Sequence, residues 1–442
     1  MNYYGSLRAA DRRPPTPTAE GRYLERRRRR EAEAGGAGPP TLGAVADHEA
    51  LIAAYRGLEA KGGPSPGPDG VEFHNLGRRE VAILAREAAK AIRRGDYRPG
   101  PTRKVAIPKG GGSTRILSVG NIADRVVGAA LAAALTPTFE RTFSARSHGF
   151  RPGRGTWGLL ADLEATLASE PSTILAIDDV KRAFDNVPIA YLLEAISEHV
   201  HDSGLLRLVE EVSRGGEDRH RASGIAQGCP LSPLALNVVL HRLHDAPLGA
   251  DTVGTPPWYR YADNLAYLCS GVPEGHEVLD RVRGLLAAAG LQLKGADGPP
   301  VDLRAGEAQL LGFRLTLRGD RLRLRLGEGA WDRLALALIE AHEGPDPPRT
   351  ARAVARGWIE SHGPAFESGP EIARAVERLM RDGAMQGFRG SFGTTDQLRG
   401  SCADAFVRWE VARGAHSHRA KTSRHPSGSV AATPPAAIVT GV

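Results

Sequence analysis

The sequence predicts an α+β protein in which antiparallel hairpins and a buried strand are set among amphipathic helices. Three observations carry that reading. The stretch WYRYADNLAYL (258–268) is two apolar and aromatic runs broken only by Asp263 and Asn264. That is the pattern of a β-hairpin with a tight turn, because Asp and Asn tolerate the positive φ angles such turns require. ILAIDDVKRAFDNV (174–187) opens as an unbroken apolar run, which reads as a buried strand, and then breaks into a polar turn and a helix. Elsewhere apolar residues recur at three- and four-residue spacing, as Leu51, Ile52, Tyr55 and Leu58 do.

In chain order, residues 1–45 form a basic extension rich in Arg, Pro, Gly and Ala, with a short helix over 22–34 and five consecutive arginines, Arg26 to Arg30. A helix from His48 is ended by the glycine- and proline-rich KGGPSPGPDGV (61–71), and a second spans 78–94 with Gly95 as its C-terminal cap. Residues 105–107 and 115–119 read as two short strands joined by PKGGGST, which carries Lys109 and is closed by Arg115. Flexible backbone between two cations suits a triphosphate, since Arg binds phosphate oxygens bidentately, although the same pattern also serves an ordinary hairpin. A helix over 122–135 and the basic loop SARSHGFRPGRGTW (144–157) follow. In SGIAQGCPLSPLALNVVLHRLHD (223–245), Gln227, Gly228 and Pro230 supply a turn, and Pro233 suits the first turn of the next helix. A helical period runs over 274–291, two strands over 307–326 with LLGF (310–313) in the first, then helices from Trp331 to Val411.

Composition narrows the function. With 41% hydrophobic and 25% charged residues the chain reads as globular, and its net charge of +7 is concentrated near the ends, at Arg26–Arg30 and at Arg413, Arg419, Lys421 and Arg424. Basic ends suit contact with a nucleic-acid backbone. Cys229, Cys269 and Cys402 match neither a disulfide framework nor a zinc pattern. No run of about 18 apolar residues and no signal-peptide core stand out, so a cytoplasmic protein without a membrane span is expected.

Neighbouring strand residues point to opposite faces, so only one of Asp178 and Asp179 can share a site with Asp263. Asp179 on a strand and Asp263 on a hairpin suit a two-metal phosphoryl-transfer site, in which Mg²⁺ shares its shell with substrate phosphates and needs few protein carboxylates. In such a site Lys109 and Arg115 hold the incoming triphosphate, and Phe184 lies beside the sugar and excludes a 2′-hydroxyl.

From about residue 48 to 365 the chain resembles the reverse transcriptases of the group II intron lineage. AYRGLEAKGGPSPGPDGVEF resembles that family's N-terminal segment, and RRGDYRPGPTRKVAIPKGGGSTRILSVGNIADRVVGAAL with TFERTFSARSHGFRPGRGT its fingers. DVKRAFDNV is similar to the first catalytic block, QGCPLSPLALN to the block contacting template and nucleotide, and YADN to the second catalytic block. LLGF resembles the primer-grip turn and ARGWIES (355–361) the start of the thumb.

The resemblance implies a right-hand polymerase fold, with fingers and palm built on a ferredoxin-like antiparallel sheet over 46–320, a helical thumb over 321–415 and a disordered basic tail over 416–442. It implies Asp179, Asp263 and the carbonyl of Val180 as ligands of two Mg²⁺ ions, with Mn²⁺ as an alternative. Asn264 completes the catalytic pair, Lys109, Arg115, Phe184, Gln227 and Gly228 hold the nucleotide, and Leu311, Gly312 and Phe313 grip the primer. Arg151 and Arg154 are placed on the nucleic-acid backbone. The implied partners are an RNA template, a DNA or RNA primer and dNTPs.

Two positions depart from the family. Its second catalytic block ends in two aspartates, where this chain has Asp263 followed by Asn264; an amide oxygen can ligate a metal, but the site loses one negative charge and some metal affinity. In LQLKGADGPPVDL (291–303), Asp297 stands where the family has a lysine that protonates the leaving pyrophosphate, and Lys294 lies three residues earlier. No endonuclease-like or zinc-binding set follows the thumb region, so the expectation is an RNA-directed DNA polymerase in a domesticated role, such as phage defence or a CRISPR-linked one. The alternative is a catalytically weak RNA-binding protein of maturase type.

Overall fold

The computed structural model describes residues 39–60, 65–109, 113–218, 220–250, 254–295, 298–343 and 346–423. The helix expected over 22–34, Asp297 and the end of the basic tail lie outside these residues.

The strands are β1 (Arg103–Lys109), β2 (Ser113–Val119), β3 (Ile174–Asp179), β4 (Trp258–Tyr261), β5 (Asn264–Cys269), β6 (Val301–Asp302), β7 (Ala308–Leu310), β8 (Phe313–Arg318) and β9 (Arg321–Leu326). The central sheet has the order β4-β5-β3-β6 with every pairing antiparallel. Helices separate β3 from the β4–β5 hairpin, and the helix Val272–Ala287 separates β5 from β6. This is the β-α-β-β-α-β connectivity of a ferredoxin-like sheet, the palm of a right-hand fold.

Burial on both faces explains why the palm strands are largely apolar, with Asp178 and Asp179 of β3 and Arg260 of β4 as the charged exceptions. Ile174 and Ala176 of β3, with Leu265, Tyr267 and Cys269 of β5, pack into the core formed with the helices on one face. Leu175, Ala266 and Leu268 pack on the opposite face, with the helix Thr156–Leu167 and strands β7–β9. A sheet covered on both faces has no solvated side on which to place polar residues.

The fingers combine the β1–β2 hairpin, whose register pairs Ile107 with Arg115 and Lys109 with Ser113, with the helices His48–Glu59, Arg78–Arg94 and Ile122–Glu140. Gly95 caps the second of these with a left-handed φ of 73°, as expected. The third outlasts its expected end at 135 and runs through Pro137 to Glu140. A proline inside a helix removes one hydrogen bond and crowds the preceding turn; here Leu135, Thr138 and Phe139 around it are buried, and that packing holds the last turn. This helix is also long and apolar enough, by length and composition, to cross a membrane. Its apolarity is that of a core helix, since Val126, Val127, Leu131 and Leu135 are fully buried within the protein.

Three strands occupy the segment where two were expected. Leu311 and Gly312 adopt φ of 53° and 91°, so LLGF spans the turn between β7 and β8 instead of lying inside one strand. Helices Glu328–Glu340, Pro347–Ser361 and Gly369–Met385 enclose a separate core around Trp331, Trp358 and Leu379, forming the thumb. The last helix, Thr395–Ser423, turns back to the palm, where Trp409 joins the palm core and lies 6.1 Å from the Trp157 ring. Arg413, assigned from sequence to a basic nucleic-acid-binding end, instead pairs with the buried Glu164 at 3.5 Å. The helical backbone through Ser423 also corrects the expectation of disorder from residue 416.

Candidate active site

The end of β3 is held from both sides. Asp179 is in register with Asn264 of β5, and the Val180 amide donates to the Asp263 carbonyl at 3.0 Å. From the other side the Lys294 amide donates to the Asp179 carbonyl at 2.8 Å. Asp178 is buried, and its carboxylate accepts from the Gly295 amide at 3.0 and 3.2 Å and from the Asp179 amide at 2.8 Å. Asp178 is thus consumed in anchoring the segment beside β3, and Asp179 is the carboxylate left to share a site with the hairpin. Among the described residues, Asp179 Oδ1 is buried and accepts no hydrogen bond; Lys294 Nζ lies 3.4 Å from it.

The hairpin forms as expected, but its turn is built differently. Ala262, not Asp263 or Asn264, carries the positive φ of 55°. Asn264 is already the first residue of β5, paired with Tyr261. The strained position is buried, where an Asp or Asn would need polar partners, and the Gly149 backbone presses on it: a Cβ on Gly149 would lie 2.2 Å from the Ala262 nitrogen. The Asn264 amide donates to Asp263 Oδ1 at 3.3 Å and to the Tyr261 carbonyl at 3.4 Å. A second carboxylate there would repel Asp263 instead.

Beneath the turn lies a buried polar network that sequence reading missed. Arg260, fully buried, donates from Nε and Nη2 to Asp245 at 2.8 and 2.5 Å, and from Nη1 to Asn237 Oδ1 at 2.7 Å and the Ala262 carbonyl at 3.1 Å. His244 bridges Asp245 (2.8 Å, Nδ1) to the Tyr267 hydroxyl (2.7 Å, Nε2), and Asn237 donates to the Gly149 carbonyl at 2.8 Å. Burial alone would raise the Asp245 carboxyl, but the Arg260 charge and the hydrogen bonds from Arg260, His241 and His244 hold it well below the usual carboxylate range. Burial lowers the His244 imidazole, against the pull of Asp245. The stretch His241–Asp245 is π-helical, an irregularity frequent at functional sites. The one sequence signal was an arginine inside the apolar strand WYRY, with polar residues set in the apolar helix before it.

Phe184 sits on the short helix Ala183–Asn186, which β3 enters through Arg182 in the left-handed region (φ 48°). The Gln227–Gly228 turn docks on the fingers: the Ser118 amide donates to the Gln227 carbonyl at 2.7 Å. Gly228 has φ of 116°, and a Cβ there would meet the Ser118 carbonyl at 2.5 Å, so only glycine fits. Between fingers and palm opens a cleft of about 290 Å³ whose polar lining includes Lys104, Ser118, Arg182, Asp185, Arg221 and Gln227. Three cations of this lining were not singled out from sequence. The side chains of Lys109 and Arg115 lie outside the described residues.

Leu311 and Gly312 form the β7–β8 turn, and the Gly327 amide donates to the Gly312 carbonyl at 2.9 Å; Phe313 is buried against the thumb-side His362, ring centroids 5.6 Å apart. Of the two arginines expected on a nucleic-acid backbone, Arg151 is engaged within the protein and Arg154 stays partly exposed. Arg151 is buried, pairs with Glu140 at 2.7 Å and donates to the Ser144 and Ser147 carbonyls at 2.5 and 2.7 Å. Arg154 donates to the Ala145 carbonyl at 2.8 Å and lies 3.8 Å from the same Glu140. The basic glycine-rich loop is thus folded around Arg151.

Residues 107–296, which contain every element of this site except the β7–β8 turn and Lys104, match the family model described as reverse transcriptase (RNA-dependent DNA polymerase). The chain is similar to protein YkfC of Escherichia coli strain K12, 32% identical over 195 residues, covering 42% of this chain and 50% of that protein. It is similar also to the COX1/OXI3 intron 2 protein of Saccharomyces cerevisiae, 28% identical over 206 residues (45% of this chain, 23% of that protein). A third relative is the group II intron-encoded protein LtrA of Lactococcus lactis subsp. cremoris, 28% identical over 160 residues (35% and 26%). The chain thus spans half or less of the length of these relatives.

Proposed function

We propose, on the premise that this chain carries a reverse transcriptase domain of the group II intron type, that it is an RNA-directed DNA polymerase extending a primer with dNTPs. The observation that carries the reading is the register of β3 against the hairpin, which sets Asp179 beside the Asp263–Asn264 pair at one end of the palm sheet.

The residues present fit a divalent cation. Asp179 Oδ1 is a buried acceptor without a hydrogen-bond donor, and the neighbouring groups are oxygen donors of the kind Mg²⁺ and Mn²⁺ take: a second carboxylate, an amide oxygen and the Val180 carbonyl. Asp179, Asp263 and Val180 would hold the metal, with Asn264 beside them. When bound, the two ions activate the attacking 3′-oxygen and neutralise charge on the leaving pyrophosphate.

The chain's own residues orient the reactants. The network of Arg260, Asp245 and Asn237 fixes the Ala262 carbonyl and so the direction in which Asp263 projects. Lys104, Arg182 and Arg221 line the cleft that would take the triphosphate, and Lys109 and Arg115 belong to the β1–β2 hairpin. Gln227 lines the cleft beside β2, Gly228 packs against the Ser118 carbonyl next to it, and Phe184 is assigned the role of sugar gate. Lys294, 3.4 Å from Asp179, is the cation in the segment where the family's lysine is missing.

Two observations favour a second reading, an RNA-holding protein of maturase type: Asn264 leaves the site one carboxylate fewer, and Lys294 offsets the charge of Asp179. Primer extension on an RNA template separates the two, with Mg²⁺ and Mn²⁺ in parallel and three proteins: wild type, Asp263→Ala and Asn264→Asp. Extension by wild type that is lost in Asp263→Ala supports the polymerase. Extension by Asn264→Asp alone supports the RNA-holding protein.

A further inference from the structure

Phe150 is an exposed aromatic held in a conformation that its side chain disfavours. It is 51% exposed, and its φ of 57° lies in the left-handed region, which bulky side chains rarely adopt. Such strain persists only where the surroundings over-determine it, and it concentrates at functional sites. The surroundings here are those of the active-site hairpin.

Before Phe150, the chain pairs with the outer edge of β4, the His148 amide donating to the Arg260 carbonyl at 2.8 Å. Gly149 lies directly against the Ala262 turn, and its carbonyl is held by Asn237. After Phe150, Arg151 is buried and tied to Glu140, Ser144 and Ser147. Between these fixed ends the backbone delivers the Phe150 ring edge-to-face onto Phe184, centroids 6.3 Å apart at 69°. An aromatic pair of this geometry fixes the orientation of both rings.

We infer that Phe150 is a positioning residue for sugar selection: it sets the Phe184 ring at the position from which that ring meets the 2′-carbon of an incoming nucleotide. The inference rests on the polymerase reading. It accounts for a feature that packing alone does not require, a strained and half-exposed ring whose aromatic contact is the gate. The same loop also links the gate to the turn carrying Asp263, so sugar fit and the carboxylate are referenced to one piece of backbone.

The test is single-nucleotide incorporation of a dNTP and the matching rNTP by wild type, Phe150→Ala, Phe150→Gly, Phe150→Tyr, Phe184→Ala and the Phe150→Ala/Phe184→Ala double variant. Phe150→Ala is expected to lower the dNTP-over-rNTP ratio of kcat/KM roughly tenfold, chiefly through a lower KM for the rNTP, as loss of a steric wall would. Phe150→Tyr retains the ratio, and the double variant discriminates no worse than Phe184→Ala, because both act through one ring. Phe150→Gly, which relieves the backbone, loses discrimination without a fall in melting temperature and so separates this role from a structural one.

A wild-type ratio in Phe150→Ala and Phe150→Gly, or additive losses in the double variant, would overturn the inference while leaving the polymerase standing. Absence of dNTP incorporation by the wild type would overturn both.

Discussion

Lys294 and Asp179 set the charge that a metal meets at this site. The lysine is about half exposed, and ion pairs of that kind contribute at most about 1 kcal/mol, equivalent to roughly fivefold in an equilibrium constant. Lys294→Ala is therefore expected to tighten Mn²⁺ binding by about threefold to fivefold, read by electron paramagnetic resonance titration of free Mn²⁺ without substrate. Unchanged or weaker binding would show that the lysine does not compete with the metal. Arg151 poses the opposite case, a cation read from sequence as facing nucleic acid and found buried on Glu140. Removing one partner of a buried pair costs about 3 kcal/mol or more. Arg151→Met is expected to lower unfolding stability in urea by about that amount and to leave RNA affinity at low temperature unaltered. Normal stability with weakened RNA binding would return Arg151 to the nucleic-acid surface.

Among elements, the β4–β5 hairpin depends on what lies beneath it. Asp245→Asn is expected to cost about 3 kcal/mol, because it leaves Arg260 as an uncompensated buried charge. If the network positions Asp263, polymerase kcat falls further than the unfolded fraction explains; stability lost with kcat per folded molecule intact would confine the network to a structural role. These dependencies show what could be read in advance. The ILAI strand, the hairpin and the opposed directions of Asp178 and Asp179 follow from local pattern and strand alternation, and they were legible. The identity of the turn residue was not, since Ala262 takes the positive φ where Gly149, more than a hundred positions earlier, packs against it. Arg260 gave a signal as a charge inside WYRY, but its partner was not legible, since Asp245 lies in a π-helical stretch that interrupts helical periodicity. At β7–β8 the resemblance of LLGF to a primer-grip turn pointed to the turn, but the strand pattern ran through it, because Leu311, which takes a left-handed φ beside Gly312, gives no turn signal of its own.

Across the whole molecule, His362 ties thumb to palm and makes that joint sensitive to acid. It follows the helix Pro347–Ser361, its Nδ1 lies 2.8 Å from the Trp358 carbonyl, and its ring packs on Trp358 (4.8 Å) and on Phe313 beside the β7–β8 turn. Burial pushes its imidazole down to about 4, with the nearby Arg333 acting in the same direction against the Trp358 hydrogen bond. An unfolded histidine takes up its proton near pH 6.5. The unfolded chain therefore binds the extra proton first as pH falls, and stability present above about 6.5 is lost progressively towards 4. Between pH 7.5 and 5 this one group is expected to remove about 2 kcal/mol of unfolding free energy. His244, also lowered by burial, adds in the same direction. Asp245, held low by Arg260, contributes only in a more acidic window, below the ordinary carboxylate range. Urea unfolding at the two pH values, on wild type and His362→Asn, isolates the His362 share, since Asn supplies a donor for the Trp358 carbonyl but cannot take up a proton. The variant is expected to lose about 2 kcal/mol less than wild type on acidification. An identical loss in both proteins would place the acid sensitivity elsewhere, with the hairpin network the next site to examine.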